Sequence, residues 1–255
     1  MLKITKYVLY DIVRSRVTVA YTAFLLLVSL SLFHLEENPA KAVMSLTTVV
    51  LAAVPLVSLV FATIHYYNSY EFIELMLTQP LSRRRVLLSE YAGTGASLLA
   101  AFGVGVGLPV ALYHPTATGG ALVGVGALLT GVFTSVAFLG AVLARDKARG
   151  IGVALLLWFY FALIYDGLVL LVLFTFSDYP LEQLTLVLSS LNPIDLGRIF
   201  LMLQLDISAL MGYTGATYKD FFGSPLGGVY TAAILALWVV LPLGGALRCF
   251  NRKDI

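Results

Sequence analysis

ARDKARGIGVALLLWFYFALIYDGLVLLVLFTF, residues 144–176, decides the fold. Three basic residues, Arg145, Lys147 and Arg149, precede the run Ile151–Phe176, whose single charged side chain is Asp166. A helix needs about 20 mainly apolar residues to cross the hydrocarbon core of a bilayer. This run is long enough, and its basic flank sits on one side only. The pattern recurs. Thirteen of the 16 Lys and Arg residues fall in four clusters: Lys3/Lys6/Arg14/Arg16, Arg83/Arg84/Arg85, Arg145/Lys147/Arg149 and Arg248/Arg252/Lys253. Basic residues beside membrane spans stay on the cytoplasmic side. The clusters therefore mark one face of a membrane, and an even number of crossings lies between each pair.

Composition agrees. The chain is 60% hydrophobic and 12% charged, with mean hydropathy +0.93, against roughly 25% charged residues in an ordinary soluble domain. A net charge of +2 gives no reason to expect a nucleic-acid partner. The lone cysteine, Cys249, excludes an internal disulfide and any multi-cysteine metal site. Residues 2–16 are too charged for a cleavable signal peptide.

The sequence predicts an all-α polytopic membrane protein, one folded unit over 1–255, with both termini in the cytosol. Six spans are expected, at Val17–Phe33, Ala42–Tyr66, Tyr91–Tyr113, Gly119–Ala144, Ile151–Phe176 and Gly227–Leu247. The loops Tyr67–Glu90 and Arg145–Gly150 then face the cytosol, and His34–Lys41, His114–Thr118 and Ser177–Leu226 lie outside. In residues 1–16, Lys3, Lys6, Tyr10 and Arg14 recur at helical spacing opposite Ile4, Val8, Ile12 and Val13. This describes a basic amphipathic helix in the headgroup region or an ordinary juxtamembrane anchor. The last outer loop, 177–226, is too long to lack structure. Leu181–Leu191 and Leu196–Met211 read as short helices separated by the turn Asn192-Pro193-Ile194-Asp195. Small residues at Gly103/Gly105/Gly107, Gly120/Gly124 and Gly227/Gly228 suit close helix packing, and Tyr66, Tyr67, Tyr91 and Tyr113 suit the interfacial aromatic belts.

No P-loop, no H-E-x-x-H and no nucleophile elbow occurs, so no catalytic constellation is read and the chain is not expected to be an enzyme. His34, His65 and His114 belong to separate segments, and no metal site is expected. Asp166 stands in the middle of the fifth span, where a carboxylate costs about 2.5–3.5 kcal/mol on insertion scales. It is either a transport-path residue or a hydrogen-bonded structural carboxylate. Met202 and Met211 read as core gap-fillers, and Pro55 and Pro109 as sites of helix kinking.

The loop between the second and third spans carries the most specific text, EFIELMLTQPLSRRRVLLSEY over 71–91. It predicts a short helix over 70–78 with Glu71 and Glu74 on one side, stopped by Pro80. Ser82 would cap a new helix whose first turn holds Arg83, Arg84 and Arg85. Arginines there oppose the helix dipole. Membrane phosphates, an acidic partner or positive-inside anchoring would each account for them.

The run Glu74–Glu90 resembles the segment after the second span in the ABC-2-type transporter permeases, although Tyr70-Glu71-Phe72-Ile73 stands where that family often has Gly-Thr. The patches 190–199 and 208–216 are similar to the NosY branch of the family, and the ending Phe250–Ile255 also looks like an ABC-2 permease terminus. The resemblance implies a type V exporter-like permease in the inner membrane, acting as a homodimer with separate NosF-like P-loop ATPase subunits. Residues 67–90 would be the coupling loop, touching the ATPase through Glu71, Phe72, Glu74, Met76, Gln79, Pro80, Arg83 and Arg84. Residues 1–16 would be an elbow helix at the lipid surface. Residues 177–226 would form a small helical subdomain docking a NosD-like β-helical periplasmic protein through Asn192, Pro193, Asp195 and Arg198. No cofactor is expected on this chain, since ATP and Mg²⁺ would bind the partner ATPase. The NosY branch serves copper-centre maturation of nitrous-oxide reductase, with a sulfur species or copper-site precursor as cargo. A membrane scaffold that anchors a periplasmic assembly protein without moving solute is the alternative reading.

Overall fold

Hydrophobic runs flanked by polar capping residues set the boundaries of a helical bundle. The computed structural model describes residues 2–13, 15–36, 38–144, 146–176, 182–205 and 225–252. Among these, every regular element is a helix: α1 (Leu2–Val13), α2 (Arg16–Leu35), α3 (Pro39–Asn68), α4 (Tyr70–Leu77), α5 (Arg83–Tyr113), α6 (Ala117–Leu143), α7 (Lys147–Thr175), α8 (Glu182–Leu191), α9 (Pro193–Gln204) and α10 (Pro225–Arg252). Six of them, α2, α3, α5, α6, α7 and α10, are long and apolar enough to cross a membrane. The protein is a multi-pass membrane protein.

Side-chain caps start these helices where the backbone N–H groups would otherwise lack partners. Ser15 accepts from Thr18 N at 3.1 Å, Asn38 from Ala40 N at 2.9 Å, Thr116 from Gly119 N at 3.3 Å and Asp146 from Arg149 N at 2.8 Å. Ser82 occupies the position expected of a cap for α5, but its hydroxyl makes no capping bond. The spans run past the expected apolar limits because polar flanks remain helical beyond the hydrocarbon. The largest difference is at α5, where the helix expected after Ser82 starts at Arg83 and runs unbroken into the span expected from Tyr91. Ser89 and Glu90, expected in a cytosolic loop, are therefore buried in the bundle.

Short connections make successive spans antiparallel, which gathers the described basic clusters at one end. Contacts between chain-distant residues fix that end. Lys147 donates to Asn68 Oδ1 at 2.7 Å, and Tyr67 donates to Ala141 O at 3.1 Å, near the C-terminus of α6. Tyr66 is buried, and Tyr91 bonds to Ser135 and Gly131 O of α6. Of the four tyrosines expected in interfacial belts, these three instead point into the bundle. The hydroxyls of Tyr67 and Tyr91, and the ring of Tyr66 edge-on to Phe138, join neighbouring helices.

The helix α6 is the most buried span and α7 the least. α10 packs along α6 through Gly245 near Leu139 and Gly131 near Val239. A methyl group on Gly105 would come within 2.6 Å of Leu25, and Ser29 donates to Gly105 O at 2.9 Å, so α2 lies directly against α5. A methyl on Gly93 would meet Val8 at 2.6 Å. The amphipathic α1 buries Val8 and Ile12 there and leaves Lys6 and Tyr10 exposed. Within this chain Gly103, Gly120 and Gly124 face open space. The tight position on α6 is Gly126, where an added methyl would fall 2.3 Å from the Phe102 ring. Gly126→Ala is expected to destabilise the detergent-solubilised protein by about 1–3 kcal/mol through overpacking. Gly124→Ala should leave its thermal unfolding unchanged or raise it.

Candidate functional site

Two places concentrate polar chemistry. The first is where α8 and α9 meet. The turn expected over 192–195 is a single residue: Asn192 caps α9, and Pro193 already begins it. Proline suits the first helical position because no partner is needed for the missing N–H. Asn192 is fully buried, donating to Phe161 O at 2.8 Å while its Oδ1 accepts from Ile194 N at 3.0 Å. Phe161 lies halfway along α7, about 20 Å from its start at 1.5 Å per residue. Gly197 packs against Val125, Leu129 and Leu51, deep within α6 and α3. The α8–α9 hairpin thus dips back among the spans.

A helix ending at that depth leaves carbonyls without water. Tyr165 donates to Leu188 O at 2.5 Å and Trp238 to Ser190 O at 3.0 Å, while Ser190 Oγ lies 2.7 Å from Tyr230 Oη. Asp166 is not alone, because Arg198 Nη1 lies 2.5 Å from Asp166 Oδ2 and 3.6 Å from Asp195 Oδ1. One guanidinium bridges two carboxylates, and about a third of the Asp166 and Arg198 side chains remains exposed. Of the residues expected to dock an outer partner, Asn192 and Pro193 are enclosed by the chain's own helices, and Asp195 and Arg198 are committed to the Asp166 cluster. Their contacts hold the hairpin to α7. Met202 shares a small cavity with Met44, Thr47 and Arg198; Met211 lies outside the described residues.

The second place is the basic end. α4 follows α3 with only Ser69 between, and Ser69 N bonds to His65 O at 2.9 Å while Ile73 N bonds to Ser69 O at 2.8 Å. Ile73 is fully buried, and Phe72 stacks on Tyr7 of α1 at 5.7 Å between ring centres. These apolar contacts seat α4 on α1 and α5. They leave Glu71, Glu74, Thr78, Gln79 and Pro80 exposed, with Arg84 and Arg85 exposed at the start of α5. Met76 and Arg83 are partly covered. At the centre of the acidic face sits Leu75, 58% exposed, which sequence reasoning passed over. An apolar residue between Glu71 and Glu74 on one side and Gln79 on the other was the available signal. Among the described residues no three His, Cys, Asp or Glu side chains gather into a metal site.

Residues 72–255 match the family described as ABC-2 family transporter protein. The probable ABC transporter permease protein NosY of Pseudomonas aeruginosa is 30% identical over 231 residues, covering 84% of this chain and 80% of the relative. A protein of the same description from Stutzerimonas stutzeri is 31% identical over 194 residues, 70% of this chain and 67% of the relative.

Asn192→Ala removes both polar contacts that hold the hairpin tip and leaves Phe161 O without its Asn192 donor. It should destabilise the protein by about 1–3 kcal/mol, read as earlier thermal unfolding in detergent. Asn192→Asp keeps the cap acceptor but loses the donor to Phe161 O, and is expected to be no better.

Proposed function

Since this chain belongs to the ABC-2 family of transporter proteins, we propose that it is the permease subunit that turns ATP hydrolysis on a separate P-loop ATPase into movement across the inner membrane. The observation that carries this reading is α4, a short helix seated by Ile73 and Phe72 and continuous through Ser69 with a span, with Glu71, Glu74, Leu75 and Gln79 turned outward. A helix held this way receives a push from a soluble partner and passes it to α3 and α5. The basic clusters support a cytosolic position for this end, where ATP is available.

The functional unit is a dimer of this chain. α7 carries Leu156, Leu163 and Leu170, exposed and spaced every seven residues, on the least buried span. This uncovered apolar face is where a second copy would pack. Asp166, one turn from Leu163 and Leu170, would then border a transport path between the two copies. The likeness to the NosY proteins supports a role in copper-centre maturation of nitrous-oxide reductase, with a sulfur species or copper-site precursor as cargo and a β-helical periplasmic protein as the outer partner. Docking of that partner falls to outer residues other than Asn192 and Pro193, which this chain encloses.

Leu75→Asp should weaken retention of the P-loop ATPase at least about tenfold, equivalent to about 1.4 kcal/mol, in affinity purification from mild detergent. Leu35→Asp, at the opposite end and 80% exposed, serves as the control and should retain it. Wild-type retention by Leu75→Asp would remove α4 as the contact. A wild-type chain that holds the periplasmic protein and no ATPase would favour a passive scaffold.

A further inference from the structure

Glu90 is 1% exposed in the first third of α5, and neither carboxylate oxygen takes a hydrogen bond among the described residues. Its titratable partner among the described contacts is His65 of α3, with Nε2 3.3 Å from Glu90 Oε2. The same nitrogen lies 3.3 Å from Ser69 Oγ, and the ring stacks on Phe61. Ser69 is the residue that joins α3 to α4.

These contacts close a loop of force. α3 leads through Ser69 into α4, α4 leads through the Pro80 turn into α5, and α5 returns to α3 through Glu90 and His65. Close packing does not fill this joint on every side. His65, Asn68 and Ser69 line a cavity of about 590 Å³ together with Asp11 and Ser15. On the cavity side, polar contacts must hold what apolar contact does not. A buried carboxyl group parted from its polar partner is left uncompensated, which is costly, so the pair resists any motion that parts α3 from α5. On the permease reading, on which this inference rests, we infer that His65 and Glu90 are positioning residues forming a strut. The strut makes the ends of α3 and α5 move as one with the coupling helix, and so transmits ATPase motion to the far end of the spans.

The test uses the full complex with its ATPase in lipid nanodiscs. A fluorophore is attached at Leu35→Cys in a Cys249→Ser background, at the end of α2 opposite α4. ATP-driven emission change, ATP hydrolysis and thermal unfolding are read together. Glu90→Gln should keep the ATPase bound and hydrolysing but cut the far-end emission change about fivefold or more, the lower end of ordinary coupling between two sites. Glu90→Gln combined with His65→Gln restores an amide–amide contact and should recover most of the response. If Glu90→Gln does not assemble, His65→Gln, at the cavity wall, carries the same test. A wild-type response in the single variants overturns the strut. So does a loss of emission change and hydrolysis together that tracks the drop in unfolding temperature. A wild-type complex that binds no ATPase, or shows no ATP-driven change, overturns the permease reading and the strut with it.

Discussion

Backbone carbonyls inside a bilayer have no water to bond, and each one left alone costs several kcal/mol. The α8–α9 hairpin meets this constraint at its most exposed point, because α8 ends and α9 begins among the spans. Tyr165 of α7 and Trp238 of α10 donate to the last carbonyls of α8, and Asn192 ties the hairpin tip to Phe161 in the wider turn Tyr160–Ile164 of α7. Trp158 of α7 also reaches α3, donating to Ala52 O at 3.1 Å, next to the Leu51 carbonyl that loses its helical donor to the missing N–H of Pro55. Once those donors are engaged, the hairpin has little freedom in depth. Arg198 then falls beside Asp166, and a charge that looked isolated in an apolar run gains its counter-ion.

The two ends of the bundle are built differently. At the end away from the basic clusters, aromatic donors and one guanidinium fasten a re-entrant hairpin to α7 and α10. At the basic end, small residues let helices touch closely. Gly93 admits Val8 of α1, and Gly150 of α7 lies against the Tyr67 ring, where a methyl would come within 2.5 Å. α4 is seated on this surface by one fully buried side chain, Ile73, and one ring stack, Phe72 on Tyr7. A helix so anchored is firm enough to push and shallow enough to present Glu71, Glu74 and Leu75 outward. On the permease reading, the bundle receives motion at a shallow, polar joint and delivers it to a deep, hydrogen-bonded one.

Much of this was legible before any coordinates. Six apolar runs, alternating basic flanks, a short helix before Pro80 and a pair of short helices before the last span all follow from residue type and spacing. The amphipathic pattern of 2–13 holds for Val8 and Ile12, inward, and Lys6 and Tyr10, outward, whereas Val13, expected on the apolar side, is exposed. Depth was less legible. Asn192 and Pro193 look like an exposed turn, because asparagine and proline in sequence signal a turn without saying what surrounds it. Tyr66 and Tyr91 look like interfacial residues for the same reason. Glu90 falls on the helix expected after Ser82, but a carboxylate after three arginines does not reveal that α5 carries it into the bundle beside His65.

The sequence by itself determined how many helices cross, which ends share a face and which segments stay short, because hydrophobic length and charge position act locally along the chain. The tertiary structure alone decided which polar groups meet: Asp166 with Arg198, Glu90 with His65, Asn192 with Phe161. Those pairings join residues 25 to 32 positions apart. Their partners are chosen by the relative depth and rotation of packed helices, which no periodicity in a single run encodes.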